Sequence, residues 1–196
     1  MKYVLTAVFG YLIGSVSGSI IITRYVYHDD VRDHGSGNAG ATNVARTFGW
    51  RPGIITFICD FIKCVLAMYF GKYFAGEWGM FIGGAFCLIG HCFPLYFGFK
   101  GGKAVSTGAC VAALIDWKLF LVMLIIFLLV AVKTKIVSVS SLTAAVVLII
   151  AVFFVTPSLP LRLLGVFTGL LVIYMHRSNI KRLMKGEEGK FSPGHR

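Results

Sequence analysis

Charge is what this chain has least of. Only 14% of its 196 residues are Asp, Glu, Lys or Arg, just eight of them acidic, while 57% are hydrophobic and the mean hydropathy is +0.82. A soluble domain of this size is excluded, and the bilayer becomes the solvent. Eight acids with no clustering of carboxylates provide no seat for a divalent cation, so neither a metal nor any other cofactor is expected. Cysteine is equally uninformative. Cys59, Cys64, Cys87, Cys92 and Cys110 are odd in number, lie inside apolar runs and show no CxxC spacing, which argues for small core residues rather than a disulfide framework or a zinc site. No fixed-period repeat, low-complexity tract or linker interrupts the chain, so residues 1–196 read as a single helical membrane domain.

What is present is apolar length. Runs at 4–22, 53–74, 80–99, 104–115, 119–132, 136–155 and 161–174 predict an all-α bundle of seven transmembrane helices joined by cytoplasmic glycine-rich loops. Residues 104–115 fall well short of the roughly 20 residues that a spanning helix needs; a re-entrant segment is the other reading. The N-terminus, with Lys2, an apolar stretch and Ser15-Val16-Ser17, imitates a cleavable signal, but hydrophobicity continues through Ile20, Ile21 and Ile22, which predicts a retained first helix. Fourteen basic residues fall in alternate connections and the tail and four on the opposite side, with Lys63 inside a span. Positive charge stays cytoplasmic, so the N-terminus is expected outside and the C-terminus inside. The net charge of +11 is then a topology signal and an attraction to anionic lipid, and calls for no nucleic acid.

Three polar clusters share the cytoplasmic side. The first, Gly35-Ser36-Gly37-Asn38-Ala39-Gly40-Ala41-Thr42-Asn43, is built of glycines that let backbone N–H groups converge on an anion, with Ser36, Asn38, Thr42 and Asn43 as uncharged donors and Arg46 a helical turn further on. It also spells GxGxxG through Gly35, Gly37 and Gly40, but no strand precedes it and a membrane bundle has no βαβ unit, so a dinucleotide fold is excluded. A flexible glycine loop is the bland alternative. The second cluster, Lys100-Gly101-Gly102-Lys103, offers open amides beside two ammonium groups, or else an ordinary positive-inside loop. The third runs from His176 through Arg177, Asn179, Lys181 and Arg182 to Glu188; His176 and Asn179 share a helix face, and the basic residues beyond suit a lipid surface. Within the bilayer Asp60 and Lys63 are spaced for an ion pair, functional or structural, and His91 reads as a satisfied interhelical histidine. Ser138, Ser140 and Ser141 either donate to the site or bond a backbone carbonyl.

Taken together, GSGNxGATN, Arg32, Arg46, Asp60 with Lys63, Gly90-His91, Phe99-Lys100-Gly101-Gly102-Lys103 and the closing His176-Arg177-Ser178-Asn179 to Glu188 resemble the bacterial membrane glycerol-3-phosphate acyltransferases that use acyl phosphate, the PlsY family. The resemblance spans almost the whole chain and departs from the family at Ala39, where proline is frequent, and at Ala104, where a third glycine often follows. It implies seven helices in the bacterial cytoplasmic membrane and transfer of a fatty acyl group from acyl phosphate to the sn-1 hydroxyl of glycerol 3-phosphate, giving lysophosphatidic acid. On this reading Lys103, His176, Asn179 and Ser141 carry the chemistry. Ser36, Gly37, Asn38, Gly40, Thr42, Asn43, Arg46, Gly101 and Gly102 hold phosphate together with Lys103, and Arg32, Asp60, Lys63 and Glu188 support them. The proton of the acceptor hydroxyl goes either to a substrate phosphate or to His176.

Two rivals need their own context. His28 and Asp33 spell HxxxxD, the motif of another glycerolipid acyltransferase class, but that motif belongs to a soluble α/β domain which this chain lacks. A transporter of a phosphorylated metabolite would show inverted repeats and broken helices at the midplane, whereas the glycine motifs here lie in connections.

Overall fold

A lipid solvent leaves helices as the way for this chain to satisfy its backbone, and the computed structural model, which describes residues 1–192, contains no strand among them. The helices are α1 (Lys2–Gly14), α2 (Gly18–Val26), α3 (Ala41–Phe48), α4 (Trp50–Cys92), α5 (Val105–Ile115), α6 (Trp117–Thr134), α7 (Val137–Val155), α8 (Leu159–Met175) and α9 (Arg177–Met184). Of the basic tail, Arg196 lies outside the described residues.

The first apolar run is two helices, not one. It breaks at Ser15-Val16-Ser17, where the Ser15 hydroxyl turns back to the Tyr11 carbonyl at 2.8 Å and the Val16 carbonyl leaves the helical ladder. The 43 residues of α4 would reach about 65 Å if straight, twice the thickness of a hydrocarbon core. Instead the chain turns at Ala75 and at Gly76, whose φ is 60°, and the two arms fold back on each other. Gly71 lies against Gly79 and Gly83 against Ala67, each too close for a β-carbon, and Gly10, Gly14 and Gly90 seat α1 on the second arm in the same way. Small residues thus do here what apolar burial does in water: they let backbones approach where lipid gives no drive to associate. The first arm matches the expected run at 53–74, whereas the second ends at Cys92, seven residues before the end of the expected run at 80–99.

Four stretches, Lys2–Val26, Trp50–Phe97, Trp117–Thr134 and Val137–Val155, are long and apolar enough to cross a membrane, and α8 with α9 forms a pair bent by 54°. The eleven-residue α5 covers only about 16 Å and is buried among its neighbours instead, with Thr107, Cys110, Val111 and Ala112 inaccessible. Around it Cys64, Met68, Cys87, Leu88 and Leu164 complete the core, and all five cysteines are free thiols. Outward, α6 exposes Leu121, Ile125, Leu128, Leu129 and Val132, a face suited to acyl chains rather than water.

The hairpin of α4 makes a test possible. Gly79→Leu drives a side chain into the Gly71 backbone and should cost more than the roughly 1–3 kcal/mol typical of overpacking. Gly76→Ala meets nothing within 4 Å and should cost only the strain of a backbone conformation that favours glycine, about 1–3 kcal/mol. Thermal unfolding in detergent should therefore show a much lower melting temperature for the first variant than for the second.

Candidate active site

At the end of the bundle where α4 begins and ends, the connections meet around a cavity of about 400 Å³. Its wall includes Ser36, Asn38, Gly40, Thr42, Asn43, Arg46, Lys103, Ser141, His176, Asn179 and Glu188, so segments far apart in sequence deliver most of the expected site residues to one place. Gly37, Gly101, Gly102, Arg32, Asp60 and Lys63 lie outside this wall.

The glycine loop is shaped from within. Gly35 and Gly37 take φ of 57° and 68°, and the Gly37 amide donates to the His34 carbonyl at 2.9 Å. Asn43, fully buried, uses its whole side chain on the loop: Oδ1 accepts from the Ser36 amide, while Nδ2 donates to the Val31 and His34 carbonyls, each at 2.9 Å. It is a staple, not a free donor. That leaves the amides of Asn38, Ala41 and Thr42 without an acceptor among the described residues, at the N-terminus of α3, where Gly40 provides no side-chain cap. A helix start with bare N–H groups attracts an anion. Arg46 stands one turn beyond Thr42 on the same face. Outside the wall, Arg32 grips Asp30 through both ends of its fork, at 3.0 and 2.8 Å, and reaches the Phe97 carbonyl at 2.7 Å, binding this loop to the next.

The second loop corrects an expectation. Its glycines do not present open amides: Gly101 N–H donates to the Cys92 carbonyl at 3.1 Å and Gly102 N–H to the His91 carbonyl at 3.0 Å, so both close the end of α4. Glycine is required because a β-carbon at Gly102 would collide with the His91 ring. Only Lys103 of this motif enters the cavity, where its Nζ donates to Asn179 Oδ1 at 2.5 Å. The next residue, Ala104, sits at φ 59°, a glycine conformation held by alanine.

His176 occupies the break between α8 and α9. Its Nδ1 lies 2.8 Å from the Val172 carbonyl and so carries the proton, which leaves Nε2 as the basic nitrogen, with no partner among the described residues. Asn179 passes the contact with Lys103 on to Glu188, whose Oε1 accepts from Asn179 Nδ2 at 2.6 Å and from Ser138 Oγ at 2.7 Å, and whose Oε2 accepts from Arg182 Nε at 2.6 Å. Burial raises the Glu188 pKa, but these three donors outweigh it and hold the carboxyl below its ordinary range. Ser138, rather than Ser141, is the serine in this network; Ser141 lines the cavity while its hydroxyl donates to the Val137 carbonyl at 3.0 Å. Behind the cavity, Lys63 Nζ meets Asp60 Oδ1 at 2.9 Å, His91 Nδ1 at 3.1 Å and the Val16 carbonyl at 2.8 Å.

Electrostatically the cavity is unfinished. Burial pushes the Lys103 ammonium down to about 8, with Arg182 nearby adding to the effect, and burial lowers Arg46 as well. Arg46 has no hydrogen-bond partner among the described residues; its guanidinium lies 5.8 Å from the centre of the Phe191 ring. Two desolvated cations with one shared, already occupied carboxylate describe a site built for an anion. A smaller apolar hole of about 120 Å³ continues from it, sharing Phe57, Val105, Phe127 and Ser141 and running on past Met123, Leu148 and Gly169. Ser106, which follows the second basic cluster, lines the main cavity too, as do Trp50 and Phe191, which nothing in their local sequence singles out. The HxxxxD pair is absent from it: His34, not His28, bonds an acid here, Asp29 at 2.9 Å.

The family model for glycerol-3-phosphate acyltransferase matches residues 4–186. The chain belongs to that family. Relatives carrying the same family name include one from Finegoldia magna, 38% identical over 97% of this chain and 98% of its own length, and one from Thermoanaerobacter sp. (strain X514), 41% identical over 97% and 96%. Crystal structures of PlsY (YgiH), described as an integral membrane glycerol 3-phosphate acyltransferase, superimpose with TM-scores of 0.91 for the glycerol 3-phosphate form and 0.89 for the lysophosphatidic acid form. They are 31% and 30% identical, and each alignment covers 98% of this chain and 96% of the other. This glycerol-3-phosphate acyltransferase family member is accordingly a helical, multi-pass integral membrane protein.

The staple role of Asn43 is separable from a ligand role. Asn43→Ala leaves buried carbonyls unpaired, at about 1–3 kcal/mol, and should lower the melting temperature and expose the loop to proteolysis even without substrate. Thr42→Val should leave melting unchanged. A normal melting curve for Asn43→Ala would return that residue to the ligand.

Proposed function

We propose that this protein transfers a fatty acyl group from acyl phosphate to the sn-1 hydroxyl of glycerol 3-phosphate, releasing phosphate and lysophosphatidic acid. One observation carries the reading: two half-buried cations, sharing one already occupied carboxylate, and the bare N-terminus of α3 face a cavity that passes directly into an apolar hole among α5, α6, α7 and α8. A phosphate head with a hydrocarbon tail fits both halves.

In this reading the α3 amides, Ser36, Asn38, Thr42, Arg46 and Lys103 bind phosphate, and His176 and Asn179 orient the acceptor beside Ser141. The acceptor oxygen attacks the acyl carbon, the bond from that carbon to the phosphate oxygen breaks, and phosphate leaves with the electron pair. Acyl phosphate is a mixed anhydride with a good leaving group, so positioning and neutralisation of charge supply most of the catalysis. The hydroxyl proton passes to His176 Nε2 or to a phosphate dianion, whose second pKa is near 6. Glycines 101 and 102 contribute by placing Lys103 rather than by touching the anion. Seven spans in the bacterial cytoplasmic membrane, with the N-terminus outside and the site and C-terminus inside, complete the proposal: cytosolic glycerol 3-phosphate then meets the site from the basic side. The short α5 takes the fourth place in that arrangement, its eleven residues reaching only part of the way across the hydrocarbon core.

Purified protein should turn over palmitoyl phosphate and not acyl-CoA or acyl carrier protein, with EDTA making no difference. Comparable turnover with acyl-CoA would overturn the donor assignment. Lys103→Ala or Arg46→Ala should lose a charge-assisted contact of about 1.5–3 kcal/mol, roughly ten- to more than a hundredfold in kcat/KM, whereas His28→Ala should keep most activity.

The pH dependence follows from Lys103. Its pKa of about 8 lies below the ordinary value of 10.5, so the free enzyme loses the cation as pH rises through about 8. The kcat/KM for glycerol 3-phosphate should fall above that pH, and Lys103→Arg, which stays charged, should flatten that limb. A profile unchanged by the arginine would remove Lys103 from the phosphate site.

A further inference from the structure

The chain does not end at α9. Gly186, at φ 70°, reverses its direction, with its own amide bonded to Leu183 O at 3.1 Å and that of Glu187 to Arg182 O at 2.8 Å. The segment that follows runs along the wall of the cavity. Glu188 is fastened to α7 and α9 as described, and the Phe191 amide donates to the Lys135 carbonyl between α6 and α7 at 2.7 Å. The Phe191 ring then packs edge-on to Trp50 at the start of α4, centroids 5.5 Å apart, and lies beside the Arg46 guanidinium. Glu188, Gly189 and Phe191 form part of the cavity wall.

We propose that Phe191 is a positioning residue for Arg46 and the water seal of the site, so that loosening it converts part of the acyl transfer into hydrolysis. Arg46 makes no hydrogen bond among the described residues and feels Glu188 only through its charge, and a guanidinium beside an aromatic ring is attracted to it while its donors stay free for an anion. The seal matters because the donor is an anhydride. Water reaching it adds its oxygen to the acyl carbon, the carbon–oxygen bond to phosphate breaks, and fatty acid and inorganic phosphate leave, the water's proton passing to solvent. The hydrolysis part rests on the acyl-phosphate reading; the part about Arg46 does not.

The test uses the full-length protein in detergent with palmitoyl phosphate and glycerol 3-phosphate, measuring lysophosphatidic acid and palmitate together. Phe191→Ala should raise the KM for glycerol 3-phosphate about two- to thirtyfold, the span of a cation–π contact, with kcat less affected, and should raise the palmitate share of product. Phe191→Leu should restore the seal but not the KM, and Phe191→Trp should restore both. Unchanged KM and product ratio in a normally melting Phe191→Ala protein would overturn the proposal, as would a Phe191→Trp protein as impaired as the alanine variant. If the wild type makes nothing from palmitoyl phosphate, the donor reading and the hydrolysis claim fail together. Glycerol 3-phosphate affinity by calorimetry then decides the Arg46 claim, unchanged affinity in Phe191→Ala sinking it.

Discussion

A carbonyl released from its helix inside a bilayer has no water to accept from, and the whole site hangs on how one such group is satisfied. The break between α1 and α2 frees Val16 O, and Lys63 Nζ takes it at 2.8 Å while pairing with Asp60 and approaching His91. An ammonium so deep is tolerable only with several partners, and here each lies on a different segment. The knot therefore fixes the first helices against both arms of the α4 hairpin. From His91 the constraint passes outward: its ring fills the space a β-carbon at Gly102 would need, its carbonyl takes the Gly102 amide, and Lys103 follows directly. The reach of the cavity lysine is thus set by an ion pair well behind it.

Around the cavity the electrostatics run against stability. Lys103 and Arg46 are partly desolvated and share Glu188 as counter-charge, and Glu188 is itself divided among Ser138, Asn179 and Arg182. Such a pocket costs free energy while empty and recovers it when an anion arrives, which is one way to turn burial into affinity.

Much of this could be read from the residues alone. The apolar runs announce the helices, and residues of the three polar clusters meet at one cavity, because each is a local pattern with a chemical meaning. The roles inside the clusters were less legible. A glycine kept for an open amide and one kept because a histidine ring occupies its β-carbon look identical in sequence, so the closed amides of Gly101 and Gly102 are visible only in the fold. Asn43 is the same case, since a side chain aimed inward at its own loop cannot be told from one aimed at a ligand. Ser138 and Ser141 lie three positions apart, within one helical turn, and the partner that distinguishes Ser138, Glu188, is fifty residues away. The break at Ser15–Ser17 was hidden because hydropathy averages across it, and Phe191 offered no signal because an isolated aromatic in a polar tail has none.

The α4 turn has a different consequence. Gly76 lies 26 positions beyond Trp50, about 39 Å of helix away from the cavity, and a side chain there would touch nothing. The two arms are clasped by Gly71 and Gly79 just inside it, so the peptide link at the tip adds little to holding them together. The chain is in effect two interlocking halves whose covalent seam sits at the end remote from the cavity, and the hairpin is the natural place to lengthen the protein, to tether it, or to divide it into separately made fragments.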